Sequence, residues 1–419
     1  MINNLLMNIL AIGDTADNIA SLKKFTKKAK IHLINFPRKQ AGIVTNSSEG
    51  IEFFDSLLIS KQVEKIIKIK DKFDLCIVMS WSGARIAYLA GINYIMYFVG
   101  DDIKIAPFIK NPKISYLKNI IRKRNFLERF FYRKVFDNAL ACIAPFEEYY
   151  EPLSRYRKDA IRLDRMMVDT EIFNEFVKPI DLPKEKFTLL SAQRIGLEKG
   201  FDKIWQALDL CQTDFEVLQV NWFIERTDEE KRFNEELMKK LPKQIKLIPL
   251  IKRDQLASYF MYADAILGQM RSGIQSGIER DAAFCRKPVL CFTDTHRPTL
   301  IDGEKIIAPF LPTSSEPKEI ALLIDRVVSS KEFRETLANH EYEYVKKLSD
   351  PDKVVNDWES IFKNSIEKCK SINRKNSGIK LKIDKKVVEI LEKIIYVRIM
   401  KKRNIEGWGM EEYFKLMKS

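Results

Sequence analysis

Ser191-Ala-Gln-Arg-Ile-Gly-Leu-Glu-Lys-Gly200 is the stretch on which the fold turns. An apolar run at residues 187–192 leads into it, and a segment with helical spacing, Phe201–Leu210, follows Gly200. A short apolar strand, a glycine-bearing loop and then a helix form the repeating unit of a parallel sheet, because a parallel strand needs a crossover to bring the chain back. Toward the C-terminus the unit recurs. Strands are expected at Phe215–Val220, Ile245–Ile248, Ala265–Leu267 and residues 288–292, with helices at residues 229–241, Arg253–Tyr262 and 278–285 between them.

Toward the N-terminus, residues 177–186 carry Pro179 and Pro183 and interrupt the rhythm. Before that break a first series runs. Strands are expected at Met7–Ile12 and at residues 30–36, 73–79, 93–99 and 140–144. Helices are expected at residues 18–29, 51–69 and 83–90, and a long basic, aromatic helix at about 114–138. Two β-α series in one chain imply an α/β protein of two Rossmann-like, doubly wound domains. Their strand ends face each other across a cleft. The expected layout is a first domain over residues 1–176, a second over 177–350, an amphipathic helix over 351–370 and a basic extension over 371–419. A last apolar helix is expected at residues 385–402.

Arg194 and Lys199 fall on the strand-to-helix loop at the mouth of that cleft. Two fixed cations beside a helix N-terminus suit a diphosphate. Residues 269–277 form a second polar, glycine-rich loop, in which backbone N–H groups from Gly273 to Gly277 are placed to meet phosphate or sugar hydroxyls. Asp101 and Asp102 follow a strand on the cleft side. They read equally as contacts to a sugar or acceptor and as a helix N-cap pair. Of three histidines, His32 and His340 read as structural, and His296 is the one candidate for the cleft. No Ser-His-Asp set, H-E-x-x-H, Walker loop or strand-end D-x-D is present, so neither a metal nor a cofactor is expected.

The net charge of +14 is local. Residues 110–134 hold nine Lys/Arg against one acid, and residues 363–404 hold fourteen against four. The rest of the chain is net acidic. In 114–138 the cations are interleaved with Phe126, Phe130, Phe131 and Tyr132, a mixture suited to lying on an anionic membrane surface. An ordinary amphipathic helix and a nucleic-acid patch are the other readings. No nucleic-acid motif accompanies the segment, so no such partner is expected. No run reaches the ~18–20 apolar residues of a spanning helix, and no signal peptide is evident. The six cysteines form no C-x-x-C pair and fit buried free thiols in a reducing compartment.

RIGLEKGFDKIWQAL, from Arg194 to Leu208, resembles the Arg…Lys-Gly element of the retaining GT-B glycosyltransferases of family 4, the glycosyl transferases group 1. Four further stretches resemble motifs of that family in the same order: RMMVDTEIFN from Arg165, PLIKRDQLASYFMYADAIL from Pro249, DAAFCRKPVL from Asp281 and YFVGDDI from Tyr97. The resemblance spans about residues 7–363. It implies a first domain that binds the acceptor and a second that binds a nucleotide-diphosphate sugar, with Arg194 and Lys199 on the diphosphate. It aligns Asp281 with the glutamate that holds the donor ribose, with Glu279 as the other candidate. Base recognition is expected near Asn221 and residues 249–252, including Pro249 and Leu250. Gly273 and Gly277 are assigned to the donor, and Asp102 joins Arg194 and Lys199 in the catalytic set as a contact to the acceptor or the sugar. The family's sugar-contacting glutamate falls on Gly273, and its cleft histidine on Val99.

The resemblance implies a retaining hexosyltransferase acting without a dedicated base, in which the leaving phosphate takes the acceptor's proton. A lipid-linked or surface-glycan acceptor is expected. So is a cytoplasmic, peripheral place on the inner face of the membrane. The rival is a catalytically silent GT-B protein serving as a membrane-associated scaffold or regulatory subunit.

Overall fold

The computed structural model describes residues 6–14, 17–36, 51–56, 58–110, 112, 125–225, 228–371 and 384–386. The first half alternates β1 (Met7–Ile12), α1 (Asn18–Phe25), β2 (Ala29–Asn35), β3 (Glu52–Phe53), α2 (Ile59–Ile69), β4 (Leu75–Val78), α3 (Trp81–Ala90), β5 (Tyr94–Tyr97), α4 (Phe126–Asp137), β6 (Cys142–Ala144), α5 (Phe146–Ser154) and β7 (Ile161–Arg162). Its seven strands form one parallel sheet in the order β3-β2-β1-β4-β5-β6-β7. All four residues of β4 and of β5 are buried, as expected of strands covered by helices on both faces.

The second half runs β8 (Phe187–Ser191), α6 (Phe201–Leu210), β9 (Phe215–Val220), α7 (Asp228–Met238), β10 (Ile245–Ile248), α8 (Arg253–Tyr262), β11 (Ala265–Leu267), α9 (Gly277–Phe284) and β12 (Val289–Leu290). These five strands are also parallel, in the order β10-β9-β8-β11-β12. A hairpin of β13 (Thr299–Ile301) and β14 (Glu304–Ile306) follows, then α10 (Pro317–Ser329), α11 (Lys331–Leu348) and α12 (Pro351–Ser371). In α6 the positions Phe201, Ile204, Trp205, Ala207 and Leu208 are buried. That is one stripe at helical spacing, each large side chain contributing about 1.5–3 kcal/mol of burial.

Two expectations are corrected. Residues 51–69 are not one helix. Glu52 and Phe53 pair with Ile34 and Asn35 as an edge strand, and the helix begins at Ile59. Phe54 explains the break, since it is buried and its N–H donates to the Asn35 carbonyl at 3.0 Å. The basic helix expected at 114–138 is described as α4, starting at Phe126, with the Asn125 side chain accepting from the Glu128 N–H at 2.7 Å. Residues 114–124 of that expectation, and 387–402 of the last helix, lie outside the described residues. The hairpin and α5 were not expected.

Helix α12 belongs to the second half by sequence and to the first domain by packing. Val354, Val355, Trp358 and Phe362 are buried in the same cluster as Ile9, Leu75 and Tyr97. The Trp358 ring meets Tyr97 edge-on at 4.8 Å. Glu359 accepts from the Lys27 and Lys28 N–H groups at 2.9 and 2.5 Å. Nearer the cleft, the Asp164 carboxylate accepts from Phe146 N–H at 2.7 Å and from Leu300 N–H at 2.6 Å, joining the two halves. All six cysteines are free. Among the described residues no helix is long and apolar enough to cross a membrane.

Trp358→Ala is expected to cost about 3–5 kcal/mol, the range for removing a large buried aromatic. Denaturant unfolding followed by near-UV circular dichroism checks this. A loss below about 1 kcal/mol would mean that α12 is not part of the first domain's core.

Candidate active site in the interdomain cleft

Between the C-terminal ends of the two sheets lies a cavity of about 540 Å³. The loop after β5 contributes Val99, Gly100, Asp101 and Lys104, and α5 contributes Phe146, Glu148 and Tyr149. Opposite them stand Arg194, Glu198 and Lys199 from the loop after β8, and Arg271, Ser272, Ile274, Gln275, Ser276, Gly277 and Arg280 from the loop after β11 and the start of α9, with Gly273 off the wall. Strands β8 and β11 are neighbours from which the chain winds outward in opposite directions. That switch point leaves a crevice beyond the strand ends.

The loops after β8 and β11 are locked together by backbone. Met270 N–H donates to the Lys199 carbonyl at 2.9 Å. Gly200 has φ +78°, and a Cβ there would lie 2.9 Å from the Met270 carbonyl carbon, so only glycine fits. Lys199 is thereby held beside Arg271, whose guanidinium pairs with Asp202 at 2.6 Å. The Arg194 guanidinium lies 5.4 Å from the Trp222 ring centroid and 4.0 Å from Glu198. Across the cleft Glu148 binds Lys104 of its own domain and Arg297 of the other, the latter at 2.9 Å. The structure brings Arg194, Lys199 and Gly277 to one cavity.

The carboxylates behave differently from expectation. Glu279 is 0% exposed and does not line the cavity. It accepts from Gln193 Nε2 at 2.7 Å, Gln269 N–H at 2.9 Å, Ser276 N–H at 2.9 Å and the Ser276 hydroxyl. With Ser276 it forms a capping box on α9. Asp281 is buried against Arg253 at 2.6 Å, and the same guanidinium reaches Asp17 of the first domain at 3.1 Å. Burial works against the Arg253 charge, but the two aspartates outweigh it and raise its pKa. Neither carboxylate lines the cavity. At Gly273, φ is +75° and a Cβ would stand 2.6 Å from the Asp294 Cβ, so the backbone admits no side chain at that position.

Pro249 and Leu250 are exposed on the loop after β10 and are not on the cavity wall. His296 is exposed and off the wall too, whereas its neighbour Arg297 is on it. Asp101, not Asp102, lines the cavity, and it pairs with Lys104 at 2.9 Å. The Asp102 carbonyl accepts from Trp81 Nε1 at 3.0 Å. Arg271 and the Lys104–Glu148–Arg297 chain escape a sequence reading, since their partners lie far along the chain; Arg280 escapes it because its place on the cavity wall depends on where α9 begins. The Ser276-x-x-Glu279 spacing is a capping-box signal that places the start of α9, and with it Arg280, at the cleft. Among the described residues no group of three or more His, Cys, Asp or Glu is placed to hold a metal ion.

No protein-family model matches the chain, and no curated protein matches its sequence. Solved structures do match its fold. HepE from Anabaena, in complex with UDP and glucose, superposes with a TM-score of 0.60 at 12% identity, covering 85% of this chain and 100% of that one. Sucrose-phosphate synthase from Thermosynechococcus elongatus gives 0.61 at 13% identity, covering 85% and 98%. A putative UDP-N-acetylglucosamine 2-epimerase from Listeria monocytogenes gives 0.52 at 11% identity, covering 85% and 97%. The fold is GT-B, two Rossmann-like domains facing a cleft.

Burial, then the neighbouring Asp101 charge, pushes the Asp102 carboxyl up from 3.8 to about 6. The folded state therefore holds this proton more tightly than the unfolded chain. Stability falls as pH rises from about 4 to about 6 and stays lower above that window. Asp102→Asn, which stays neutral, is expected to raise stability at pH 7 by at most about 3 kcal/mol and to be nearly neutral at pH 4. Thermal melts of both proteins at the two pH values check the sign.

Proposed function

We propose that this chain transfers a hexose from a nucleotide-diphosphate sugar to a lipid-linked or surface-glycan acceptor, with retention, as in the glycosyltransferases of family 4. The observation that carries this reading is the convergence of Arg194, Lys199 and the N-terminus of α9 on one cavity large enough for a nucleotide sugar. The fold shared with HepE, solved with UDP and glucose, supports the donor class.

The chemistry follows from charge and position. Arg194 and Lys199 neutralise the diphosphate as the sugar–phosphate bond breaks. The first domain's wall holds the acceptor against the anomeric carbon. A leaving-phosphate oxygen takes the acceptor's proton, so the reading needs no cofactor and no protein base. Ribose recognition passes to groups other than Asp281 and Glu279, whose carboxylates are occupied within the protein.

The reading includes a peripheral place on the inner membrane surface. Helix α4 supports it, because Phe126, Leu127 and Phe130 are 72, 69 and 53% exposed. Arg129, Arg133 and Lys134 stand on the same helix. Exposed apolar groups beside cations suit an interface of acyl chains and anionic headgroups.

A second reading, a catalytically silent GT-B protein acting as a membrane-associated scaffold or regulatory subunit, rests on Gly273, Val99 and the occupied Asp281. A thermal-shift screen against UDP-, GDP-, ADP- and dTDP-sugars, followed by an assay for released nucleoside diphosphate, separates the two. Binding with turnover supports the enzyme, binding without turnover supports the silent protein, and no binding sinks both.

Arg194→Ala and Lys199→Ala are each expected to weaken nucleoside-diphosphate binding by about 1–3 kcal/mol, the worth of a charged hydrogen bond. Binding of the bare nucleoside should change much less. Calorimetric titration of both ligands decides, and equal losses would assign the two residues to the fold.

Phe126→Ser with Phe130→Ser is expected to remove the salt-resistant part of binding to anionic vesicles and to leave nucleotide affinity unchanged. Vesicle sedimentation at low and high salt reads the difference. Parent-like sedimentation would show that α4 is not an anchor.

A further inference from the structure

We infer that Arg280 is a third, buried cation of the donor site, and that it selects a diphosphate over a single phosphate. The inference rests on the proposed nucleotide-diphosphate donor.

Arg280 lies in the second turn of α9 and lines the cleft cavity, yet it is only 5% exposed. Its Nη1 donates to the Gln275 carbonyl at 2.9 Å, which fixes the plane of the guanidinium. Its Nη2 lies beside Gly277, where a Cβ would be 4.0 Å away. Its Nε is buried with no hydrogen-bond partner among the described residues. Nor, among those residues, does any carboxylate come within ion-pair distance of it.

A guanidinium stays charged in proteins, and a buried charge without a counter-charge is costly. Burial lowers the Arg280 pKa despite the nearby charge of Asp281, so the protein alone leaves this cation under-compensated. Every other arginine in the cleft wall has an acid near it. Arg194 has Glu198, Arg271 has Asp202, and Arg297 has Glu148 and Asp294. Arg280 is the member of the set whose charge is left for something that enters.

Its surroundings specify an anion. Gly277 and Ile278 supply the first amides of α9, which no intrahelical carbonyl can serve, and the helix N-terminus adds a positive partial charge. Gly277 keeps the approach open. Lys199, on the loop joined to this one through Met270, lines the same cavity. A single phosphate can be met by one of the two loops. A diphosphate is long enough to use both, with one phosphate toward Lys199 and Arg194 and the other at the Arg280 fork and the start of α9. Arginine suits that place because its donors form a rigid planar fork, which lysine lacks.

The test is titration of the full-length protein with inorganic pyrophosphate and with orthophosphate, for the parent and for Arg280→Gln. The expected result is a 10-fold or greater loss of pyrophosphate affinity with less than a 3-fold change for orthophosphate. Unchanged pyrophosphate affinity overturns the inference, and so does an equal loss for both anions, which would make Arg280 a support for the loop. If Arg280→Gln does not fold, Arg280→Lys keeps the charge and loses the fork. A 3-fold or greater loss confined to pyrophosphate then supports the assignment, and parent-like binding overturns it. If the parent binds neither pyrophosphate nor any nucleoside diphosphate, the donor reading itself fails, and a parent that binds with an indifferent variant fails only the role of Arg280.

Discussion

Everything on the second-domain side of the cleft depends on one carboxylate that water does not reach. Glu279 draws Gln193 from the loop after β8, the Gln269 amide from the end of β11 and the Ser276 amide and hydroxyl from the helix start onto its two oxygens. Burying an ionised carboxylate is costly unless its oxygens are satisfied by donors of good geometry. Here four donors from three segments do so, and each segment is thereby fixed relative to the others. Gly268 lies so close that a Cβ on it would stand 2.7 Å from Glu279 Oε1, leaving no room for an alternative packing. The positions of Lys199, Arg271 and Arg280 follow from this knot, because all three ride on segments that it gathers.

The first domain answers with a different device. Glu148 on α5 lies between Lys104 and Arg297, and Arg253 lies between Asp17 and Asp281. One acid flanked by two bases, and one base flanked by two acids, cross the gap between domains. Such chains tie the two walls of the cleft by charge. Phe146 sits at this seam with φ 53°, a left-handed conformation that a bulky residue adopts at a cost. The Asp164 carboxylate accepts its amide and helps to hold it there.

Local pattern carried much of the architecture. Elements whose side chains meet their own neighbours, such as α6, β9, β10, α8 and β11, are bounded in the structure where periodicity puts them. The misread parts depend on distant partners. Residues 52–53 become a strand only because β2 offers an edge, whereas the β13–β14 hairpin is local and turns on Asp302-Gly303. At the site, the loop cations Arg194 and Lys199 were legible because their type, spacing and loop agree. The acids were not. Whether Asp281 faces a ligand or Arg253 is settled by a side chain 28 positions away in the sequence. Gly273 reads in sequence as a missing glutamate, whereas in space it is the residue that the Asp294 backbone and Cβ require.

The return of α12 bears on how such a chain can be recombined. Its apolar stripe fills the first domain's core, so the first 176 residues taken alone would expose the surface that Val354, Trp358 and Phe362 cover. A graft exchanging only the second domain between proteins of this architecture would therefore take two crossovers, one near residue 177 and one between α11 and Pro351. Exchanging everything after a single junction would carry a foreign helix into the recipient's core and disturb the half of the protein that the graft was meant to leave alone.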